Sequence, residues 1–200
     1  NGDKYTGQFS NGKADGQGTM TYANGNIYEG QFKNGRREGQ GTFTEYDGTK
    51  FVAAWIADEI TGQATVTETD GRRYVGEIKN FQADGKGVLT LADGGKYDGQ
   101  WKANHANGYG IMTYANGDRY EGEWKDDKRE GKGTMTTKEY KYEGQWKNDM
   151  ANGYGVVVYS DGSRYQGEFK DNMFNGQGTG TLPDGTVMSG WWENNDYLGP

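Results

Sequence analysis

The chain has no cysteine, one histidine, two prolines and few aliphatic side chains. Without cysteine there is no disulfide framework, no thiol nucleophile and no cysteine-ligated zinc. The single histidine, His105, excludes a multi-histidine metal centre. Val, Ile, Leu and Phe together number 24 of 200 residues, too few for a conventional two-layer core. No apolar run approaches the roughly 20 residues that a membrane-spanning helix needs. No signal-peptide pattern opens the chain, and the start Asn1-Gly2-Asp3 reads as that of an excised fragment. Basic clusters are also missing. The formal net charge is −7, spread evenly over both halves, with only short pairs such as Arg36-Arg37, Arg72-Arg73 and Lys128-Arg129. That balance argues against a nucleic-acid reader and against strong attraction to anionic membranes.

What the chain does have is glycine and rings. Glycine numbers 36, and the aromatics comprise 15 Tyr, 7 Phe and 6 Trp. Disordered chains are poor in aromatics, so this composition describes a chain that orders itself with rings and glycines.

The rings and glycines recur in register. Tyr5, Tyr28, Phe51, Tyr74, Tyr97, Tyr120, Tyr142, Tyr165 and Met188 open units 22 or 23 residues apart. Two residues on stand Gly7, Gly30, Ala53, Gly76, Gly99, Gly122, Gly144, Gly167 and Gly190. Two further on stand Phe9, Phe32, Trp55, Ile78, Trp101, Trp124, Trp146, Phe169 and Trp192. A Gly-x-Gly element follows in each full unit except the third, which has Gly62 and Ala64. The array is eight full units and a ninth that stops after its first strand, one repeat domain over residues 1–200.

Tyr-x-Gly-x-Trp has the period of a β-strand. Each unit therefore reads as a hairpin of two strands. Asn-Gly and Asp-Gly dipeptides such as Asn116-Gly117 predict tight type I′ turns between units. A longer connection of about six residues, Lys125 to Glu130, is expected inside each unit. The expected fold is all-β: a single-layer antiparallel meander of about 17 strands, elongated to roughly 80 Å at about 4.8 Å per strand. Alternation sorts the faces. Tyr120, Gly122, Trp124, Gly131, Gly133 and Met135 share one. Glu121, Glu123, Lys132, Thr134 and Thr136 share the other, which a threonine ladder from Thr21 to Thr181 continues. Rings from one strand are expected to cover the bare glycines of its neighbour.

This pattern, Tyr-x-Gly-x-Trp, then Gly-x-Gly, then Tyr-x-x-Gly-x-x-Tyr, resembles the membrane occupation and recognition nexus (MORN) repeat over the whole chain. The units Tyr97 to Gly117 and Tyr120 to Gly133 fit closely. The resemblance implies an elongated meander with an aromatic-lined groove, acting as a scaffold or protein-binding module. Some relatives are dimeric, and some lie beside enzymatic domains. Unit three departs from the pattern with Phe51, Ala53 and Ala64, and unit six lacks its turn glycine. Where the family often has a basic or histidine residue before Gly-x-Gly, this chain has Asp15, Glu38, Thr61, Asp84, Asn107, Glu130, Asn152 and Asn175. That shift weakens any transfer of phosphoinositide binding.

No enzyme is expected, and no cofactor or metal. His105 reads as a solvated loop residue, because a general base needs positioned partners. Asp126-Asp127 lacks the alternating ligands of a calcium loop. No Gly-x-Gly opens a helix, so none cradles phosphate. The expected binding surface is the aromatic face of units five to seven, formed by Tyr97, Trp101, Tyr114, Tyr120, Trp124, Tyr142 and Trp146, with a helix or extended peptide of a partner protein as guest. Glu121 and Thr134, on the opposite face, are expected to be dispensable for it. At the C-terminus, Trp191, Trp192 and Tyr197 read equally as a cap or as a self-association surface for a homodimer. Nucleic acid is not an expected partner, and membrane lipid is a weak one or none. The alternative function is a lipid-tethering module or the regulatory region of a larger enzyme. The cytoplasm is the favoured compartment, with cytoskeletal or membrane association left open.

Overall fold

A computed structural model describes residues 2–200. It contains eighteen strands: β1 (Lys4–Ser10), β2 (Lys13–Thr21), β3 (Ile27–Lys33), β4 (Arg36–Thr44), β5 (Lys50–Ile56), β6 (Glu59–Thr67), β7 (Arg73–Lys79), β8 (Gln82–Thr90), β9 (Lys96–Lys102), β10 (His105–Thr113), β11 (Arg119–Lys125), β12 (Lys128–Thr136), β13 (Tyr140–Lys147), β14 (Met150–Tyr159), β15 (Arg164–Lys170), β16 (Met173–Thr181), β17 (Val187–Glu193) and β18 (Asp196–Gly199). There is no helix among the described residues. The strands form one open sheet, a single-layer antiparallel meander. The eighteenth strand exceeds the expected count because the tail Asp196–Gly199 turns back and pairs with β17.

The chain divides into two compact units. The first holds the residues up to Gly94 and Gln100–Asn104; the second holds Gly95–Gly99 and His105–Pro200. The core of the first includes Tyr28, Phe32, Phe43, Phe51, Trp55 and Tyr74. That of the second includes Tyr120, Met135, Tyr142, Trp146, Val157, Tyr165, Phe169 and Trp192.

The two kinds of connection are the reverse of the sequence expectation. The link inside each repeat is the tight one. Between β11 and β12 only Asp126 and Asp127 intervene, at φ of 48° and 65°. The link between repeats runs over five residues, Tyr114 to Asp118, and there only Gly117 is left-handed. Asn116 does not take positive φ. Its side-chain oxygen instead accepts the Asp118 N–H at 3.0 Å, an Asx turn that does the work assigned to a type I′ backbone. Pairs such as Asp126-Asp127 and Ala103-Asn104 carry no glycine, so they gave no turn signal.

Consecutive tight turns are tied together, which explains their acidic and amide residues. Asp127 N–H donates to the Ala106 carbonyl at 3.1 Å, while the Asp127 carboxylate accepts the Ala106 N–H at 2.7 Å. Asp149 with Arg129, Asn172 with Ala151 and Asn195 with Phe174 repeat the exchange. Residues before Gly-x-Gly join in, as when Glu130 accepts the Asn148 N–H at 3.0 Å. The one aromatic at the second turn position, Phe81, has φ 62° and sends its ring onto Phe43, Phe51 and Trp55 instead.

Candidate functional site

The aromatic face is built by one device, repeated. β12 bulges opposite Glu123: Trp124 pairs with Arg129 and Gly122 with Gly133, leaving three residues of β12 against one of β11. Gly131, at φ 66°, makes that bulge, and the Glu123 carboxylate lies over it while accepting the Lys132 N–H at 3.2 Å. The Tyr120 hydroxyl donates to the Glu123 carbonyl at 3.0 Å. Pinned there, the Tyr120 ring lies on Gly133, where a Cβ would stand 2.5 Å from its Cζ. The indole of the next repeat then crosses the same strand, with Trp146 Nε1 donating to the Gly133 carbonyl at 3.0 Å. Tyr120 and Tyr142 are thus each held edge-on between two rings. Tyr120 meets Trp124 at 5.1 Å and Trp146 at 5.2 Å. Tyr142 meets Trp146 at 5.1 Å and Phe169 at 5.0 Å. Such pairs contribute about 0.5–1.5 kcal/mol each beyond area burial. Burial pushes the hydroxyls of Tyr28, Tyr74, Tyr142 and Tyr165 up to about 12, so they stay neutral donors to the bulge carbonyls.

What roofs these rings varies. The position two residues past each tight turn is Ala14, Arg37, Ile60, Ala83, Ala106, Arg129, Ala151, Phe174 and Tyr197. Arg129 spreads its guanidinium 4.3 Å above the Trp146 ring and forks to Asp149, at 3.2 Å to the carboxylate and 2.6 Å to the carbonyl. Arg37 does the same over Trp55 with Asp58. Phe174 stacks on Tyr165 at 3.8 Å. Between them Ala151 has nothing to roof with, and a recess of about 500 Å³ opens there. Tyr142, Trp146 and Phe169 floor it; Tyr140, Tyr159 and Phe174 wall it. In the first compact unit Ala83 leaves a smaller recess of about 380 Å³ lined by Tyr74, Phe81 and Trp101.

The seven residues expected to form one groove therefore have different places. Tyr142 and Trp146 floor the larger recess, and Trp101 lines the smaller one. Tyr97 and Tyr120 are buried within the ring ladder, while Tyr114 and Trp124 are half-buried at its border. Tyr140, Tyr159, Phe174 and above all Ala151 were not singled out from sequence; the signal was the alternation of Arg, Ala and Phe at one repeat position. At the C-terminus Trp192 is buried, with Tyr197 paired to it across β17 and β18 and the rings 5.2 Å apart. Trp191 is exposed on the opposite face, paired with Gln177. It stands where most earlier repeats use Gln or Glu to close the bulge of the following Gly-x-Gly strand.

His105 is exposed, with its Nδ1 2.5 Å from an Asp127 carboxylate oxygen. It belongs to the turn ladder. Hydrogen bonding and charge from Asp127 raise its pKa above the ordinary imidazole value of 6.5. The pair's contribution to stability is therefore complete below the unfolded value and lost as pH rises through the higher folded one. In an NMR titration the His105 ring should show a midpoint above 6.5, falling back towards it in Asp127→Asn; an unshifted midpoint would mean the pair does not form.

Among solved structures, the chain is similar to the TCP10 domain of Danio rerio CPAP at 16% identity, with a TM-score of 0.47 over 88% of this chain and 90% of that one. It is also similar to the SAS-4 (dCPAP) TCP domain of Drosophila melanogaster, solved in complex with a proline-rich motif of Ana2 (dSTIL), at 12% identity and a TM-score of 0.47 over 88% and 89%. No curated protein sequence matches the chain. The family model of the MORN repeat matches residues 5–27, 28–50, 74–96, 97–119, 120–138, 142–164 and 165–187. It passes over residues 51–73, the repeat that has Phe51, Ala53 and Ala64 in place of tyrosine and glycines. With seven repeats matched in register along the sheet they build, the chain belongs to the MORN repeat family.

Proposed function

We propose that the chain is a non-catalytic protein-binding module that receives a helix or extended peptide of a partner on its aromatic face. The observation that carries this reading is the recess beside Ala151, where Arg129 covers Trp146 but no arginine or phenylalanine of the kind found in the neighbouring repeats stands over Tyr142 and Phe169, and where Tyr140, Tyr159 and Phe174 line the walls. Rings with their polar atoms already satisfied offer apolar area that costs little to desolvate, and Tyr and Trp are enriched among binding hot spots. Tyr97 and Tyr120 serve in this reading as supports that fix the floor, not as contacts. Lipid binding stays weak, because Arg37 and Arg129 are committed to Asp58 and Asp149. This reading gives His105 no catalytic role, since its Asp127 partner belongs to the turn ladder and the imidazole lies outside both aromatic recesses.

The test fills the recess without disturbing the rings. Ala151→Arg places above Phe169 the kind of roof that Arg129 gives Trp146. Immobilised wild-type chain should retain a partner protein from an extract of the source organism. Ala151→Arg should lose at least tenfold of that capture, while Thr134→Ala on the opposite face keeps it. Equal capture by wild type and Ala151→Arg would remove the recess from the account.

A further inference from the structure

The opposite face of the second compact unit also carries a cleft, of about 540 Å³, across β10 to β14. Its floor is the glycine row Gly122, Gly133, Gly144 and Gly155, one per strand and paired in register. Tyr109 and Tyr154 close its two ends, each about half exposed at 51% and 52%. Both are the middle residue of a Gly-x-Gly, a position that elsewhere holds glutamine or lysine. Their hydroxyls are anchored across the glycine row. Tyr109 donates to Glu121 at 2.5 Å, and Tyr154 accepts from Gln166 Nε2 at 2.7 Å. Since Tyr109 pairs with Glu123 and Glu121 with Ile111, the Tyr109 ring has to lean over the Gly110–Gly122 pair to reach its partner. Tyr154, which pairs with Glu168, leans over Gly155–Gly167 in the same way. Two rings are thus laid down as platforms at the ends of a bare strip of backbone.

The edges of the strip differ in chemistry. One edge has donors, the Lys132 ammonium and the Gln145 amide, and at the far end the Tyr154 hydroxyl, carried across the row to Gln166, adds a third. Gln145 accepts the Tyr154 N–H at 2.7 Å through its oxygen, which leaves its NH₂ to donate. Tyr154, bonded as an acceptor, keeps its own proton to donate. The other edge has the carboxylates Glu121, which also pairs with Arg119 at 2.5 Å, and Glu143, which lies 3.9 Å from Lys141; both pairs are exposed and so exchange for another cation at little cost. They stand on β11 and β13, two strands apart, about 9.6 Å at the usual strand spacing. Tyr109 and Tyr154 stand four strands apart, about 19 Å.

We propose that this outer cleft binds a basic peptide in the polyproline II conformation, laid across the strands with arginine or lysine at every third residue. A polyproline II helix has three residues per turn and rises about 9.3 Å per turn. One turn matches one repeat of this sheet, so basic residues at i and i+3 meet Glu121 and Glu143, and two turns span the tyrosine platforms. A β-extended guest, with same-side residues about 6.6 Å apart, would miss that spacing. Polyproline II backbone has no internal hydrogen bonds, and its carbonyls are acceptors that need donors; Lys132, Gln145 and Tyr154 supply them. Ring platforms are the usual seats for such chains, and the net charge of −7 favours a basic guest.

The probe is a twelve-residue peptide of four Arg-Pro-Pro triplets, titrated calorimetrically into the 200-residue chain at 150 mM salt. The control has the same composition with its four arginines contiguous. The triplet peptide should bind saturably at one per chain, and the control at least tenfold more weakly. Tyr109→Ala and Tyr154→Ala should each weaken binding about tenfold or more, as loss of a ring hot spot does. Glu143→Gln should weaken it too. All three side chains are at the surface, so unchanged melting temperatures certify the fold. Ala151→Arg, on the other face, should leave the affinity as it is. Absence of saturable binding, equal binding of the control, or weakening by Ala151→Arg instead of by the tyrosine changes would each overturn the proposal.

Discussion

Replacing Tyr120 by alanine should destabilise the second compact unit by roughly 3–5 kcal/mol, the range for deleting a fully buried ring. Tyr120 has no exposed surface, and its ring is held edge-on by Trp124 and Trp146. Its hydroxyl satisfies the Glu123 carbonyl at the bulge, and Arg129 lies 5.6 Å over its ring. In a single-layer sheet no second layer can relax into the gap. Urea unfolding followed by tryptophan fluorescence measures the cost. The contrasting variant is Tyr109→Ala, whose ring is half exposed on the other face and should cost no more than about 0.5 kcal/mol. A Tyr120→Ala cost below about 1 kcal/mol would mean that the ladder of rings is decoration on a sheet held by its hydrogen bonds alone.

Much of this was legible in the residues. The spacing of Tyr5, Tyr28, Tyr74, Tyr97 and Tyr120, with glycine two residues on, gave the meander and its faces, because strand alternation leaves no other reading of Tyr-x-Gly-x-Trp. Ring-over-glycine packing was legible for the same reason. The turns were not. Asn-Gly is a strong hairpin signal, yet in Tyr114 to Asp118 a side-chain oxygen replaces the second left-handed residue, whereas the true two-residue turn, Asp126-Asp127, is stabilised by bonds to the preceding turn that no local pattern shows. The recess was illegible as well. It depends on which residue roofs each ring, so its signal lies in an alanine, Ala151, and not in any aromatic. A Tyr→Phe exchange at Tyr120 or Tyr142 is a structural change, because their hydroxyls hold the bulges.

Gly133→Ala should be among the damaging small substitutions in the array. The new methyl would meet the Tyr120 ring carbons at 2.5 and 2.6 Å and its hydroxyl closer still. The ring can move away only by giving up its bond to Glu123, so the overpacking should cost roughly 3 kcal/mol, the upper end of the usual range. Repeat three shows what relief looks like. There Ala53 and Ala64 face each other in the glycine row, and the tyrosine position holds Phe51, which has no hydroxyl to pin its ring down.

The central claim is that the tyrosine hydroxyl pins each ring onto the glycine row, and a double-mutant cycle tests it directly. Tyr120→Phe, Gly133→Ala and the double variant are unfolded in urea alongside the wild type. If the hydroxyl is the pin, Gly133→Ala should cost at least about 1 kcal/mol less in the Tyr120→Phe background than in the wild type. Costs that add to within about 0.3 kcal/mol would contradict it, and the glycines would then be needed for backbone approach alone.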